Sequence, residues 1–138
     1  MDNKPMLFII NHGEFGKSLI ESAELIVGPI DNIYAFSLIK GMSLEELAQI
    51  VEEKLSKVKQ AIVLTDLFGG TPNNVAMYLQ SKYCFPIISG VNLPMLLDLI
   101  LARDSADKDL KTMILDTVSI AKDSIQYHEL QKGEDIDD

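Results

Sequence analysis

Cysteine and histidine are scarce in this chain, which has one cysteine and two histidines among 138 residues. Because Cys84 is alone, no disulfide can form within the chain, and its place in an apolar run predicts a small core residue. Cys84, His12 and His128 show no metal-ligand spacing, so we predict no metal site. His128 lies near the polar end of the sequence and is expected to be exposed.

Basic residues are also few. Lysine and arginine number 12 against 21 aspartates and glutamates, which gives a formal net charge of −9. The basic surface that a nucleic-acid-binding protein needs is therefore missing, and we predict no nucleic-acid partner.

Long apolar runs are absent as well. The most apolar stretch, LPMLLDLILA, is interrupted by Asp98 well short of the roughly 20 residues that a membrane span requires. The run MLFII near the start is too short for a signal peptide. These features predict a soluble, cytoplasmic protein. The glycine-rich stretch GGTPNN lacks the lysine of a nucleotide-binding P-loop, and we predict no cofactor.

What the sequence does contain is enough apolar material for a core, since 47% of its residues are hydrophobic. We predict one domain over residues 1–130. The acidic residues 131–138, which include GEDIDD, are predicted to form a flexible tail.

Apolar runs of strand length alternate with segments of helical periodicity along the chain. This alternation predicts an α/β fold with an open, mostly parallel sheet of about four strands and helices on both faces. The predicted strands are Met6–Ile10, Ile33–Ile39, Ala61–Thr65 and Phe85–Ser89. A further short strand is predicted in SIQYHEL, where Ile125 and Tyr127 alternate with polar residues.

Helix boundaries are marked by capping residues and by proline. The first helix is predicted from Phe15 to Val27, with Gly28 and Pro29 ending it. Three further starts are predicted at a capping box of Ser43 with Glu46, at Thr71 as N-cap before Pro72, and at Asn92 before Pro94. A last helix begins near Leu110.

The turns NHGEFG, DLFGGTPNN and GVNLP each follow a predicted strand, where open parallel sheets bind ligands. A neutral imidazole can attack phosphorus, which makes His12 the candidate nucleophile. Asp66 is the candidate acceptor that would hold the other ring nitrogen as N–H. The backbone N–H groups of Gly69, Gly70 and Thr71, with the Thr71 hydroxyl, could receive phosphoryl oxygens. Together these residues predict a phosphoryl-transfer site.

Simpler interpretations of the same residues stay open at this point. His12 could be an ordinary turn residue, Asp66 a capping acid, and GGTPNN plain turn chemistry. The same loops could also serve a non-enzymatic flavodoxin-like module that binds a phosphorylated small molecule without using a nucleophilic histidine.

The stretches IINHGEFGKSLIESAELIVG, VLTDLFGGTPNNVA and ISGVNLPMLLDLILARD resemble the mannose-family enzyme IIA of the bacterial sugar phosphotransferase system. The resemblance implies an enzyme, a phosphotransferase, in which the phosphocarrier protein HPr phosphorylates His12 and His12 passes the group to enzyme IIB. Sugar is then phosphorylated during transport through the membrane permease. Asp66 matches the family's histidine-orienting aspartate, and Thr71 matches its hydroxyl residue.

Two departures and one further implication accompany the resemblance. Phe68 stands where many members of the family have tryptophan, and GEDIDD replaces a linker to a fused IIB domain, so IIB is expected as a separate chain. The resemblance also implies a homodimer in which residues 124–130 form a strand exchanged with the partner, although this strand could instead fold back onto its own subunit. The phosphotransfer subunit of dihydroxyacetone kinase is the alternative within the same chemistry.

Overall fold

A computed structural model describes residues 4–105 and 108–131. In these residues four parallel strands form one sheet in the order β2-β1-β3-β4, which confirms the predicted α/β fold. The strands are β1 (Met6–His12), β2 (Ile33–Leu38), β3 (Ala61–Thr65) and β4 (Ile87–Ser89). The helices are α1 (Phe15–Val27), α2 (Leu44–Leu55), α3 (Gly70–Gln80), α4 (Leu93–Ala102) and α5 (Leu110–Asp123).

The central strand β1 is covered on both faces, because successive side chains of a strand point to opposite sides. Leu7 and Ile9 join a core with α1, α4 and α5, whereas Phe8 and Ile10 join a second core with α2 and α3. The helices therefore lie on both faces of the sheet, as predicted.

The strand order places a topological switch point between β1 and β3. The chain leaves β1 to form β2 on one side and then returns to form β3 on the other side. The crossovers diverge there, which opens a crevice at the carboxyl ends of β1 and β3, the usual ligand position in this class of sheet. His12 ends β1 and Asp66 follows β3, so both reach this crevice.

Several predicted boundaries agree with the structure. The first helix and the third strand have the predicted limits. The capping box of α2 is complete, since the Ser43 hydroxyl accepts from the Glu46 amide at 3.1 Å and the Glu46 carboxylate accepts from the Ser43 amide at 2.9 Å. These hydrogen bonds, the one from the Ser43 amide above all, lower the pKa of Glu46. Asn92 caps α4 by accepting from the Met95 amide at 3.0 Å.

Other limits predicted from local sequence are wrong: β1 runs to His12 and not to Ile10, and β2 ends at Leu38 and not at Ile39. The strand β4 begins at Ile87 and not at Phe85, because Pro86 has no N–H to donate to the sheet. Thr71 is not the N-cap of α3. Gly69 takes that position and the helix begins at Gly70, both with positive φ of 85° and 79°, so Thr71 lies inside the first turn.

The single cysteine is also placed differently from the prediction. Cys84 is exposed in the connection between α3 and β4, and its neighbour Phe85 occupies the core position instead. His128 is exposed, as expected.

The segment after α5 forms no strand within the described part of the chain. Residues 125–130 have no regular secondary structure, and Ile125 and Tyr127 are 78% and 84% exposed. The alternative of a strand folded back onto its own subunit is therefore not what this chain adopts, and β4 remains an edge of the sheet. Residues 132–138 of the predicted acidic tail lie outside the described residues. Among residues 4–105 and 108–131, no helix has the length and apolarity to cross a membrane.

Candidate functional site

His12 and Asp66 form a direct hydrogen-bonded pair at the crevice between β1 and β3. The Nδ1 atom of His12 lies 2.8 Å from Oδ2 of Asp66, and the His12 backbone N–H donates to the same oxygen at 2.8 Å. A carboxylate can only accept, so Nδ1 carries the proton, and in the neutral ring Nε2 keeps its lone pair.

The two side chains differ in their access to solvent. The His12 side chain is 49% exposed, whereas that of Asp66 is 12% exposed. The second carboxylate oxygen, Oδ1 of Asp66, is buried and has no hydrogen-bond partner in the part of the chain that the structure describes. The carboxylate is thus shielded from solvent and fixes one side of the imidazole, while the ring itself remains accessible from solvent.

The amino-terminal end of α3 faces the imidazole. A Cβ atom added to Gly70 would lie 3.5 Å from Cε1 and 3.8 Å from Nε2 of His12, so only glycine leaves this space open. The first backbone N–H groups of a helix have no partners within the helix, and its dipole favours anions there. A negatively charged group bonded to Nε2 would therefore meet these N–H donors.

Of the residues predicted to bind phosphoryl oxygens, Gly70 is brought directly against the ring of His12. Gly69 and Thr71 are its neighbours in the same turn of chain. The Thr71 side chain is half-buried, and among the described residues its hydroxyl makes no hydrogen bond. The third predicted turn, GVNLP, follows β4, and its Asn92 serves as the cap of α4.

A buried polar pair, which the sequence analysis did not predict, lies beneath the turn at the start of α3. The hydroxyl of Thr65, the last residue of β3, donates to Oδ1 of Asn73 in α3 at 3.0 Å, and both side chains are almost fully buried. The Thr65 carbonyl also accepts from the Gly90 and Val91 amides at 2.9 and 3.0 Å. The end of β3, which carries Asp66, is thereby tied both to α3 and to the turn after β4. The sequence contained one indication of this pair, because an asparagine such as Asn73 in the first turn of a helix often forms a side-chain hydrogen bond.

Exposed apolar side chains occur in the connections on the same side of the sheet. We call Phe15, Ile39, Leu67 and Phe68 the apolar collar. These residues follow the carboxyl ends of β1, β2 and β3, and Phe68 is 79% exposed. Exposed apolar groups beside a reactive side chain are typical of a surface that docks another protein. In the described ranges no group of three or more histidine, cysteine, aspartate or glutamate side chains could hold a metal ion.

Comparison with known proteins gives consistent matches. The family model described as "PTS system fructose IIA component" matches residues 6–114. The fructose-specific EIIA component of Bacillus subtilis is 33% identical over 109 residues, which cover 75% of each chain. The mannose-specific EIIAB component of Escherichia coli K12 is 31% identical over 102 residues. That match covers 71% of this chain but only 32% of the relative, so the chain spans about a third of that protein's length.

The fold comparison agrees. The crystal structure of a phosphotransferase system component EIIA from Streptococcus agalactiae superposes with a TM-score of 0.82 at 29% identity, covering 88% of this chain and 95% of that one.

Proposed function

The chain belongs to the family of fructose and mannose IIA components of the sugar phosphotransferase system, and on this basis we propose that it relays phosphoryl groups through His12. It accepts the group from phosphorylated HPr and passes it to enzyme IIB in the cytoplasm. The membrane permease then couples the final transfer to sugar uptake.

One observation carries this proposal: Asp66 holds Nδ1 of His12 as an N–H donor, which leaves the exposed Nε2 atom free to attack. In the step we propose, the Nε2 lone pair forms a bond to phosphorus while the bond from phosphorus to the donor histidine breaks. The electron pair of the broken bond returns to the donor ring. The carboxylate of Asp66 stabilises the positive charge that the ring of His12 gains.

The turn at the start of α3 supplies the second part of the proposed mechanism. The N–H groups of Gly69, Gly70 and Thr71, and the Thr71 hydroxyl, bind the phosphoryl oxygens once the group is on Nε2. The closeness of Gly70 to Nε2 supports this assignment.

The apolar collar is the proposed docking surface for both HPr and enzyme IIB. A relay protein must release each partner after transfer, which calls for a small, transient interface. A few exposed apolar side chains around a central histidine suit such an interface, because they contribute burial without a large area.

We also propose that the functional form is a twofold homodimer in which residues 124–130 pair with the partner's sheet. The open edge at β4 and the exposed, unpaired residues 125–130 support this proposal. Light-scattering mass should give a dimer for the full chain and a monomer for a chain ending at Asp123. A monomeric full chain would contradict the dimer, and a truncated chain that remains a tight dimer would contradict the exchange.

The relay itself is tested by incubation with enzyme I, HPr and radiolabelled phosphoenolpyruvate. We expect covalent label that is lost in acid and kept in base, as phosphohistidine is. The variant His12→Ala should take up no label, whereas His128→Ala, which removes the other histidine of the chain, should be labelled normally. Label that persists in His12→Ala would refute the assignment, and an unlabelled wild-type protein would favour a binding module over a relay.

A further inference from the structure

Asn11 is a fully buried polar residue next to the reactive histidine, and none of the interactions described above involves it. It lies in β1, where its Cα pairs with that of Ser37 in β2. Its side chain points away from His12, toward α1. There it meets Gly16 so closely that a Cβ on this glycine would lie 2.2 Å from Oδ1 of Asn11. The amide is therefore clamped between the sheet and the first turn of α1.

The amide nitrogen of Asn11 holds the turn that follows His12. Nδ2 donates to the carbonyl oxygen of His12 at 3.2 Å and to that of Gly13 at 2.9 Å. On the other side of His12, its backbone N–H donates to Asp66. The peptide groups before and after the His12 Cα are thus both held by side chains, one by Asp66 and one by Asn11.

This arrangement leaves one polar atom without a partner. Oδ1 of Asn11 is buried and accepts no hydrogen bond from any residue within the described ranges. An apolar side chain of similar shape would fill the same space without an unsatisfied acceptor. Packing alone therefore does not explain an asparagine here, whereas its two donated hydrogen bonds to the turn do.

We propose that Asn11 is a positioning residue for phosphoryl transfer at His12. By holding the carbonyls on the far side of the His12 Cα, it sets the direction in which the imidazole leaves the backbone. Nδ1 thereby meets Asp66, and Nε2 faces the start of α3. The effect of Asn11 on phosphoryl transfer rests on the proposed function, whereas its effect on the orientation of the His12 ring does not.

The test compares Asn11→Leu with the wild-type chain in two measurements. The first is the rate of phosphoryl transfer from phosphorylated HPr, which we expect to fall on the order of 10-fold, since small misplacements of a reacting group are costly. The second is the tautomer ratio of His12, measured by ¹⁵N NMR on the unphosphorylated protein. We expect the neutral ring to lose part of its Nδ1–H population as the bond to Asp66 loosens.

Two further variants separate positioning from stability. Thr117→Val removes a part-buried 2.6 Å hydrogen bond to Asp98, between α4 and α5, and should lower stability with no change in either measurement. Asn11→Thr keeps one hydroxyl donor in place of the amide and should recover part of the lost rate. An Asn11→Leu protein with the wild-type tautomer ratio would overturn the proposal, even if the relay itself were confirmed. An Asn11→Thr protein no faster than Asn11→Leu would also overturn it.

Discussion

The two ends of the sheet are built in opposite ways. At the carboxyl end, the His12 side chain is half exposed and lies near glycines with positive φ. At the amino end, the guanidinium of Arg103 is 1% exposed and donates to the carbonyls of Pro5 and Asn32 at 3.1 and 2.7 Å, and to that of Asp31. One end presents backbone N–H groups beside a half-exposed imidazole, whereas at the other end a buried guanidinium donates to three backbone carbonyls.

This difference leads us to expect that function and stability depend on opposite ends of the sheet. The hydrogen bonds of Arg103 join the carboxyl end of α4 to the segments that precede β1 and β2. They thereby hold these three parts of the chain together at the amino end of the sheet. The His12 end, by contrast, has apolar side chains exposed around a half-exposed imidazole. We expect substitutions at the two ends to have separable effects, on unfolding at one end and on transfer at the other.

The largest effect is expected from Arg103→Met, which keeps an unbranched apolar stem but removes the guanidinium donors. Three backbone carbonyls would lose a charged partner and the hydrogen bond to Pro5 is buried, so the free energy of unfolding should fall by about 3 kcal/mol. Urea unfolding followed by circular dichroism measures this change. At a temperature where the variant is folded, its transfer rate should equal that of the wild type.

The control is Lys108→Met, which removes an exposed ion pair with Asp116 and should scarcely change the unfolding curve. If Arg103→Met were as stable as the wild type, or transferred more slowly while folded, the separation of the two ends would not hold.

The next effect concerns Asp66→Asn at the functional end. An amide of the same size lacks the negative charge and can present an N–H to the ring, which favours the wrong tautomer of His12. Transfer from phosphorylated HPr should slow by about 10²-fold, with little change in the thermal midpoint. Stopped-flow or quenched-flow labelling gives the rate.

Asp31→Asn is the matched control, because it makes the same change in a carboxylate at the opposite end of the sheet and should leave the rate unaltered. A wild-type rate in Asp66→Asn would mean that another group orients His12.

Part of this fold, and one contact of the candidate site, can be predicted from the sequence. Elements with a local signature, such as the helix of Phe15–Val27 and the capping box at Ser43, were predicted with their limits. The pairing of His12 with Asp66 could be predicted because each lies at the carboxyl end of a buried strand, and these ends share one edge of a parallel sheet.

Contacts that depend on the assembled fold could not be predicted. Arg103 and Pro5 are 98 residues apart, and no periodic pattern connects them. The buried role of Asn11 depends on how closely Gly16 of α1 approaches β1, which is a tertiary distance. Thr71 was misplaced as a cap because two glycines in succession can begin a helix earlier than a hydroxyl residue would.

A smaller effect is expected from Gly70→Ala, which tests the space beside Nε2. The added Cβ would lie 3.8 Å from Nε2, where the phosphoryl group must arrive, and the positive φ of 79° adds backbone strain of about 1–2 kcal/mol. We expect transfer to slow about 10-fold. Gly28→Ala is the matched control, because its φ is 86° and no atom lies within 4 Å of the added Cβ.

Gly28→Ala should therefore lose a similar amount of stability and transfer at the wild-type rate. Equal rates for Gly70→Ala and the wild type would show that the phosphoryl group does not occupy this space.

The smallest effect on the transfer rate is expected from removing the Thr71 hydroxyl, which would add one neutral donor to the backbone N–H groups at the start of α3. Thr71→Val keeps the shape of the side chain and removes that donor. A single neutral hydrogen bond in a partly solvated site contributes about 1 kcal/mol, so transfer should slow roughly 5-fold. Thr71→Ser keeps the hydroxyl and should remain within about 2-fold of the wild type, since only a methyl group is lost.

Both rates are measured with phosphorylated HPr as donor, and the hydrolysis of isolated phosphohistidine protein is followed in parallel. If Thr71→Val matched Thr71→Ser in both measurements, the backbone of α3 alone would bind the phosphoryl oxygens.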